Sequence, residues 1–293
     1  MNKYIIGYFM ATLFSIGLQA QSLTPQVIAS GGSSYASGGY TLDFTVGEPL
    51  TATFSGGSNI VTQGFHQPSA ATTCAVKIWL EGPFGGAAMT NALQTGNVLP
   101  SAQPFNNAPW FYAGAESVVT FPGNVTDWVL LELRTTISGG NVGNNLVAQR
   151  AALLYTDGTV HDTNGNAYVS FNNVATGSYY IAVKPRGNLA VMSANAVTLP
   201  NNATPYNFTT AINMASGPNQ QQLVSGQACL RAGDFDNNGI ISVADFNLLQ
   251  SQLAGGVNVY RTGDANKDRQ MTVADFNLYQ PNASAIGVPA IRY

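Results

Sequence analysis

Tyr40, Leu42, Phe44 and Val46 alternate with small or polar residues, the period-two signature of a strand with one buried face. Gly47-Glu48-Pro49 turns the chain, and Leu50, Ala52 and Phe54 resume the alternation. A second turn over residues 55–59 leads to a third strand over 60–65. Residues 21–68 thus predict a small β-meander, too small to be stable without packing on something larger. A short linker, 69–73, follows. Beyond it the pattern predicts strands at 76–81, 117–121, 128–134, 147–155, 167–171, 178–184 and 190–194. Turns such as Asp157-Gly158 and Asn164-Gly165 separate some of them. Short strands with polar turns across 74–215 predict a β-sandwich. The long stretch 82–115 fits neither period; such a segment carries a function or has structure of its own.

At the N-terminus Lys3 precedes an apolar run over 5–18, and Leu18-Gln19-Ala20 stands before Gln21. Residues 1–20 read as a signal peptide, since the run is shorter than the ~20 residues a bilayer requires. No later apolar run reaches spanning length, so no transmembrane segment is expected. The protein is expected to be secreted, extracellular or at the cell surface. At the other end, 216–230 is a polar linker with three consecutive glutamines. Residues 231–293 hold a clear internal repeat: Val243-Ala244-Asp245-Phe246-Asn247-Leu248 recurs unchanged as Val273-Ala274-Asp275-Phe276-Asn277-Leu278. In each copy the apolar residues after the Asp begin a helix. Phe246 with Leu249, and Phe276 with Tyr279, share a helix face and are expected to form a small core.

Charged residues make up only 9% of the chain, which disfavours long surface helices and suits turn-rich β-structure. The 45% hydrophobic content argues against disorder. With a net charge of −3 and scattered Lys and Arg, the chain has no electrostatic footprint for nucleic acid. The acids are concentrated. Asp234, Asp236 and Asp245 lie in one short loop, and Asp264, Asp268 and Asp275 in another. A calcium loop draws hard oxygen ligands from positions 1, 3, 5, 7, 9 and 12, using a backbone carbonyl at 7 and a sharp turn at 6. The first loop offers Asp234, Asp236, Asn238, the Ile240 carbonyl, Ser242 and Asp245, with Gly239 at the turn. The second offers Asp264, Asn266, Asp268, the Gln270 carbonyl, Thr272 and Asp275, with Arg269 at the turn. Two calcium ions (Ca2+) are expected. The second is expected to bind more weakly, because a non-glycine residue in a left-handed turn costs roughly 1–2 kcal/mol.

Position 12 is Asp in both loops, where EF-hands carry Glu, and no amphipathic helix precedes either loop. Each unit is therefore loop-then-helix. The doubled pattern Gly-Asp-x-Asn/Asp-x-Asp/Asn-Gly-x-(five residues)-Asp resembles type I dockerins over residues 231–282, with Arg269 departing from it. The resemblance implies a C-terminal α dockerin-like module of paired loop-helix units. It also implies docking to a cohesin-like protein through Val243, Ala244, Val273 and Ala274. Val27-Ile28-Ala29-Ser30-Gly31-Gly32, Phe44-Thr45-Val46-Gly47-Glu48-Pro49 and Thr62-Gln63-Gly64-Phe65-His66-Gln67-Pro68 look like an N-terminal module of secreted Bacteroidota surface proteins. Trp128-Val129-Leu130-Leu131-Glu132-Leu133-Arg134 and Ala190-Val191-Met192-Ser193-Ala194-Asn195-Ala196-Val197 are similar to a β-module of hemagglutinin-like proteins of that group. Together these imply a mainly β surface or adhesion protein.

Enzyme chemistry finds little to work with. His66 and His161 are the two histidines, both in turn-like surroundings, and there is no Gly-x-Ser-x-Gly. Glu81, Glu116, Asp127 and Glu132 are carboxylates that a glycosidase pair would need, but no pairing is legible. Glu132 reads as a charge on a strand surface. Trp110-Phe111-Tyr112 are suited either to stacking on sugar or to packing beneath the 82–115 excursion, with packing favoured. Cys74 and Cys229 stand at module edges, and a disulfide between them is expected in an oxidising environment, against two buried free thiols. The chain therefore reads as non-enzymatic, with a docking module and a β-module that presents a carbohydrate or cell-surface ligand site. Two alternatives stand beside this: an accessory, carbohydrate-binding component of a polysaccharide-degrading assembly, and a calcium module that docks only on its own chain.

Overall fold

The computed structural model describes residues 31–37, 40–46, 53–56, 59–62, 71–137, 145–217, 219–253 and 256–291. The signal segment, the Gly47-Glu48-Pro49 turn and His66 lie outside these residues. The chain divides into two compact units, Met1–Pro68 and Ser69–Tyr293. The first contains β1 (Gly31–Ser37), β2 (Tyr40–Val46), β3 (Thr53–Gly56) and β4 (Asn59–Thr62). They form two antiparallel hairpins, β1–β2 and β3–β4, where a continuous three-stranded meander was expected. Strand β1 escaped the sequence reading because its Gly-Gly-Ser-Ser start has no apolar alternation.

The second unit runs through β5 (Ala71–Cys74), β6 (Val76–Lys77), α1 (Ala92–Thr95), β7 (Val125–Arg134), β8 (Leu146–Tyr155), β9 (Val160–His161), β10 (Val169–Asn172) and β11 (Gly177–Pro185). It continues through β12 (Gly187–Asn188), β13 (Val191–Met192), β14 (Val197–Leu199), β15 (Tyr206–Asn207), β16 (Gln221–Val224), β17 (Gln227–Leu230) and β18 (Ala232–Asp234). Helices α2 (Val243–Gln252) and α3 (Val273–Tyr279) follow. The unit is mainly β with a few short C-terminal helices. One sheet has the order β13-β11-β7-β8-β9, with β14 also on β11; the other strands form two-stranded pairs, and no sheet closes. Asp157-Gly158 makes the β8–β9 turn, where the Thr159 N–H donates to Asp157 Oδ1.

Strand β7 is buried along its whole length because both faces are covered. On one face Val129, Leu131 and Leu133 join Ile181 and Val183 of β11 in a core with Val76, Ile78, Leu80, Phe171 and Phe208. On the other, Trp128 and Leu130 meet Leu93, Leu99, Phe105 and Val118. The 82–115 excursion is thus the cover of the second face. The expected strand at 117–121 is reduced to a bridge between Ser117 and Ala102, and Phe121 instead sets its ring edge-on to Trp128.

Two sequence expectations are corrected here. Cys74 and Cys229 are free, buried thiols, and the expected disulfide is not formed. They sit on different two-stranded pairs, β5–β10 and β16–β17, in the same core. Burial, reinforced by the nearby Glu81 charge, pushes the Cys229 thiol up to about 12, so it stays protonated. Glu132 is not a surface charge either. It is fully buried, 2.8 Å from Arg134 and 2.9 Å from Lys184, and accepts a hydrogen bond from Gln149. Burial pulls the Lys184 ammonium down to about 8, even beside that carboxylate.

Candidate metal centre

The first loop, 234–245, leaves the end of β18, which pairs with β12. Its side chains fold the backbone back on itself. The Gly239 N–H donates to Asp234 Oδ2, the Asn238 N–H to Asp236 Oδ1, and the Ile240 N–H to Asn238 Oδ1. Asp245 accepts from the Asp236 N–H through Oδ1 and from the Ser242 N–H through Oδ2. Ser242 and Asp245 form a capping box that starts α2. Gly239 has φ 87°, the left-handed conformation that the sixth position demands.

Three carboxylates meet in this loop. One oxygen each from Asp234, Asp236 and Asp245 lies within 4.8 Å of the others, and this is the one such acidic group among the described residues. Asp234 is buried, and its Oδ1 has no hydrogen-bond partner. Burial first, then repulsion from Asp245 and Asp236, holds its carboxyl well above the usual range. A buried carboxylate oxygen left without a partner among two other carboxylates is costly unless a cation neutralises it. The donor set is all oxygen, which suits a hard divalent ion such as calcium.

The second loop, 264–275, repeats the wiring. Arg269 N–H donates to Asp264 Oδ2, Gln270 N–H to Asp268 Oδ1, and Ala265 N–H to Asp275 Oδ1. Thr272 and Asp275 cap α3. Arg269 sits at φ 74° and adopts the backbone that glycine takes in loop 1. Burial raises Asp264 only to about 6, because the Lys267 ammonium opposes it.

Both loops grip one step of the chain, Arg186-Gly187, where β11 gives way to β12. The fourth residue of each, Asn237 at φ 60° and Lys267 at φ 58°, is left-handed and buried. Asn237 Oδ1 accepts from the Gly187 N–H at 2.8 Å. Lys267 Nζ donates to the Arg186 carbonyl at 3.0 Å and lies 3.6 Å from Asp127. Asp127 also pairs with Arg186 at 3.2 Å and accepts from Tyr260 at 2.6 Å, while the Arg186 guanidinium stacks on the Tyr260 ring. On the far side Glu81 accepts from the Ala232 N–H, Asn282 and Gln222. Sequence reasoning treated Asp127 and Glu81 as candidate catalytic acids and missed Asn237, Lys267 and Asn282. Their partners lie in other modules, and no local signal marks them.

The helices meet as expected. Phe246 and Phe276 contact edge to face with centroids 5.8 Å apart, over buried Leu249 and Tyr279. Val243 and Val273 are 70% and 71% exposed, Ala244 is exposed and Ala274 half-buried. Phe246, Leu249, Leu253, Val273 and Phe276 line an apolar groove of about 340 Å³. Of the aromatic triplet, Trp110 packs edge-on to Phe105, and Tyr112 donates to Glu116. Phe111 stands 74% exposed at φ 47°. His161 stacks on Tyr155, with centroids 3.7 Å apart. No helix among the described residues is long and apolar enough to cross a membrane.

No family model and no curated protein matches the chain. Two crystal-structure chains do, both from interface mutants of a type II cohesin–X-dockerin complex of Acetivibrio cellulolyticus. Each is 15% identical, with the match covering 74% of this chain and 97% of that chain, at a TM-score of 0.36. The chain thus shows a distant structural similarity to a cohesin–dockerin complex.

Proposed function

We propose that this is an exported, non-enzymatic β-protein that binds two calcium ions through its C-terminal loops and uses the loop-helix pair for protein docking. The observation that carries the reading is the unpartnered, buried Asp234 Oδ1 within the Asp234, Asp236 and Asp245 group. Asn238, Ser242 and the Ile240 carbonyl complete the first ligand set. Asp264, Asn266, Asp268, Thr272, Asp275 and the Gln270 carbonyl form the second. Calorimetric titration of the full chain gives two binding events, and Asp234→Ala removes the tighter one. If Asp234→Ala and Asp264→Ala both titrate like the parent, the loops are ordinary turns.

The docking half of the reading is supported by Val243 and Val273, exposed at the starts of α2 and α3. A cohesin-like protein is the partner class. Ala244→Arg alone leaves capture of that partner largely intact, and Ala244→Arg with Ala274→Arg abolishes it. Normal capture by the double variant places the surface elsewhere. The exposed Phe111 ring favours a second reading, a sugar-binding accessory role for the β-domain. Phe111→Ala then eliminates retention on insoluble polysaccharide, and unchanged retention dismisses it.

A further inference from the structure

We infer that the two loops are held in their binding geometry by the sheet domain, with Asn237 and Lys267 as positioning residues, so that calcium occupancy and β-domain stability are linked. The inference rests on the calcium reading above and adds what sets the geometry of both sites. Four contacts carry it. The first ligand residue, Asp234, is itself the last residue of β18 and lies opposite Gly187 of β12. Asn237 takes the N–H of that same Gly187. Lys267 takes the carbonyl of the preceding residue, Arg186, and reaches Asp127 on β7. The backbone of loop 2 also enters a notch at Gly82, where an added Cβ would lie 2.3 Å from the Ala265 carbonyl oxygen.

The two fourth positions are equivalent in the loops and grip adjacent residues, 186 and 187. Each lies between two ligand positions, 3 and 5, so a shift of its backbone moves the ligands on either side. The middle of loop 1 takes its backbone partners from the segment after α3: the Ile241 N–H donates to the Ala285 carbonyl, and the Gly287 N–H to the Gly239 carbonyl. By linkage, a ligand that binds only the gripped state stabilises whatever does the gripping.

The chain supplies its own reporter. Its three tryptophans, Trp79, Trp110 and Trp128, all precede the loops and lie in the β-domain. The experiment is a thermal melt of the full chain followed by tryptophan fluorescence, with and without calcium, alongside calcium titration. The variants are Lys267→Met and Asn237→Gly, neither of which is a ligand. Calcium raises the tryptophan-reported midpoint of the parent. Asn237→Gly keeps the left-handed backbone, removes the acceptor for Gly187 together with the local donor to the Phe235 carbonyl, and raises the Kd of the first loop about tenfold or more. Lys267→Met does the same to the second loop, and each variant shrinks the midpoint rise. If Lys267→Met fails to fold, Asn237→Gly decides alone. Two ions bound by the parent with an unmoved tryptophan midpoint, or an Asn237→Gly variant that binds calcium like the parent, overturns the linkage and leaves the calcium reading standing. A parent that binds no calcium removes both.

Discussion

The two loops share a hexapeptide, a left-handed fourth and sixth residue and a capping box, yet they differ in what surrounds the first ligand. Around Asp234 the neighbours are Asp236 and Asp245, and the fourth residue is a neutral amide. Around Asp264 the fourth residue is a buried ammonium. The electrostatic demand of loop 1 is left to be met from outside, as a cation would meet it. That of loop 2 is already answered in part by the chain. Loop 2 is therefore fastened to the sheet by charge, and loop 1 by a single neutral hydrogen bond beside a strand pairing.

The largest expected effect tests that difference in fastening. Asp127→Asn leaves Arg186 and Lys267 buried without the carboxylate they share, and breaking a buried ion group in this way costs about 3–5 kcal/mol. Asn237→Gly, the loop 1 counterpart, costs about 1 kcal/mol in the absence of calcium. Urea unfolding in calcium-free buffer measures both. Equal losses would mean that charge does not distinguish the two grips.

Next is the charge around the first ligand. In calcium-free buffer Asp234→Asn relieves three-way repulsion and raises the melting midpoint. With calcium at a hundredfold over Kd, it forfeits the site's contribution of about 2.7 kcal/mol. Asp264→Asn takes a partner from Lys267, so its calcium-free midpoint does not rise. Calorimetric melts in both buffers check the sign. If both variants raise the calcium-free midpoint alike, Lys267 gives loop 2 no internal compensation.

What could be read from the sequence follows the same division. The ligand pattern closes within twelve residues, and the Asp245 and Asp275 caps are local, so the loops were legible from spacing alone. The grip was not. Lys267 meets Arg186 across 81 residues, and Asn282 meets Glu81 across 201. No periodicity connects such pairs. Glu132 was misplaced for a related reason. Alternation along β7 assigns it to a face, but the cover of that face comes from a segment whose pattern has no period, 82–115. The long strands of the broad sheet, β7, β8 and β11, were legible from their apolar runs, whereas its short strands β9 and β14 were not foreseen. The short pairs β12–β18 and β15–β6 are made of two or three residues and exist only through their partners.

The smallest expected effect separates the two causes of asymmetry between the loops. Arg269 holds a left-handed turn at a cost of roughly 1–2 kcal/mol, and its charge lies within the second ligand loop. Arg269→Gly removes both penalties. It also gives up the hydrogen bond from Arg269 Nη1 to Asn258, an exposed contact worth about 1 kcal/mol or less. The turn lies between ligands 5 and 7, so relief of strain there acts on the bound geometry directly. The Asn258 contact lies outside the ligand set and acts on loop stability with or without the ion. The affinity of the second site should therefore rise by roughly tenfold, which corresponds to about 1.4 kcal/mol, while the first stays fixed. Calorimetric titration resolves the two events. If the second affinity does not move, the weakness of loop 2 originates in Lys267 rather than in the turn, and Lys267 charge is then the term that separates two loops with the same ligand register and the same hexapeptide.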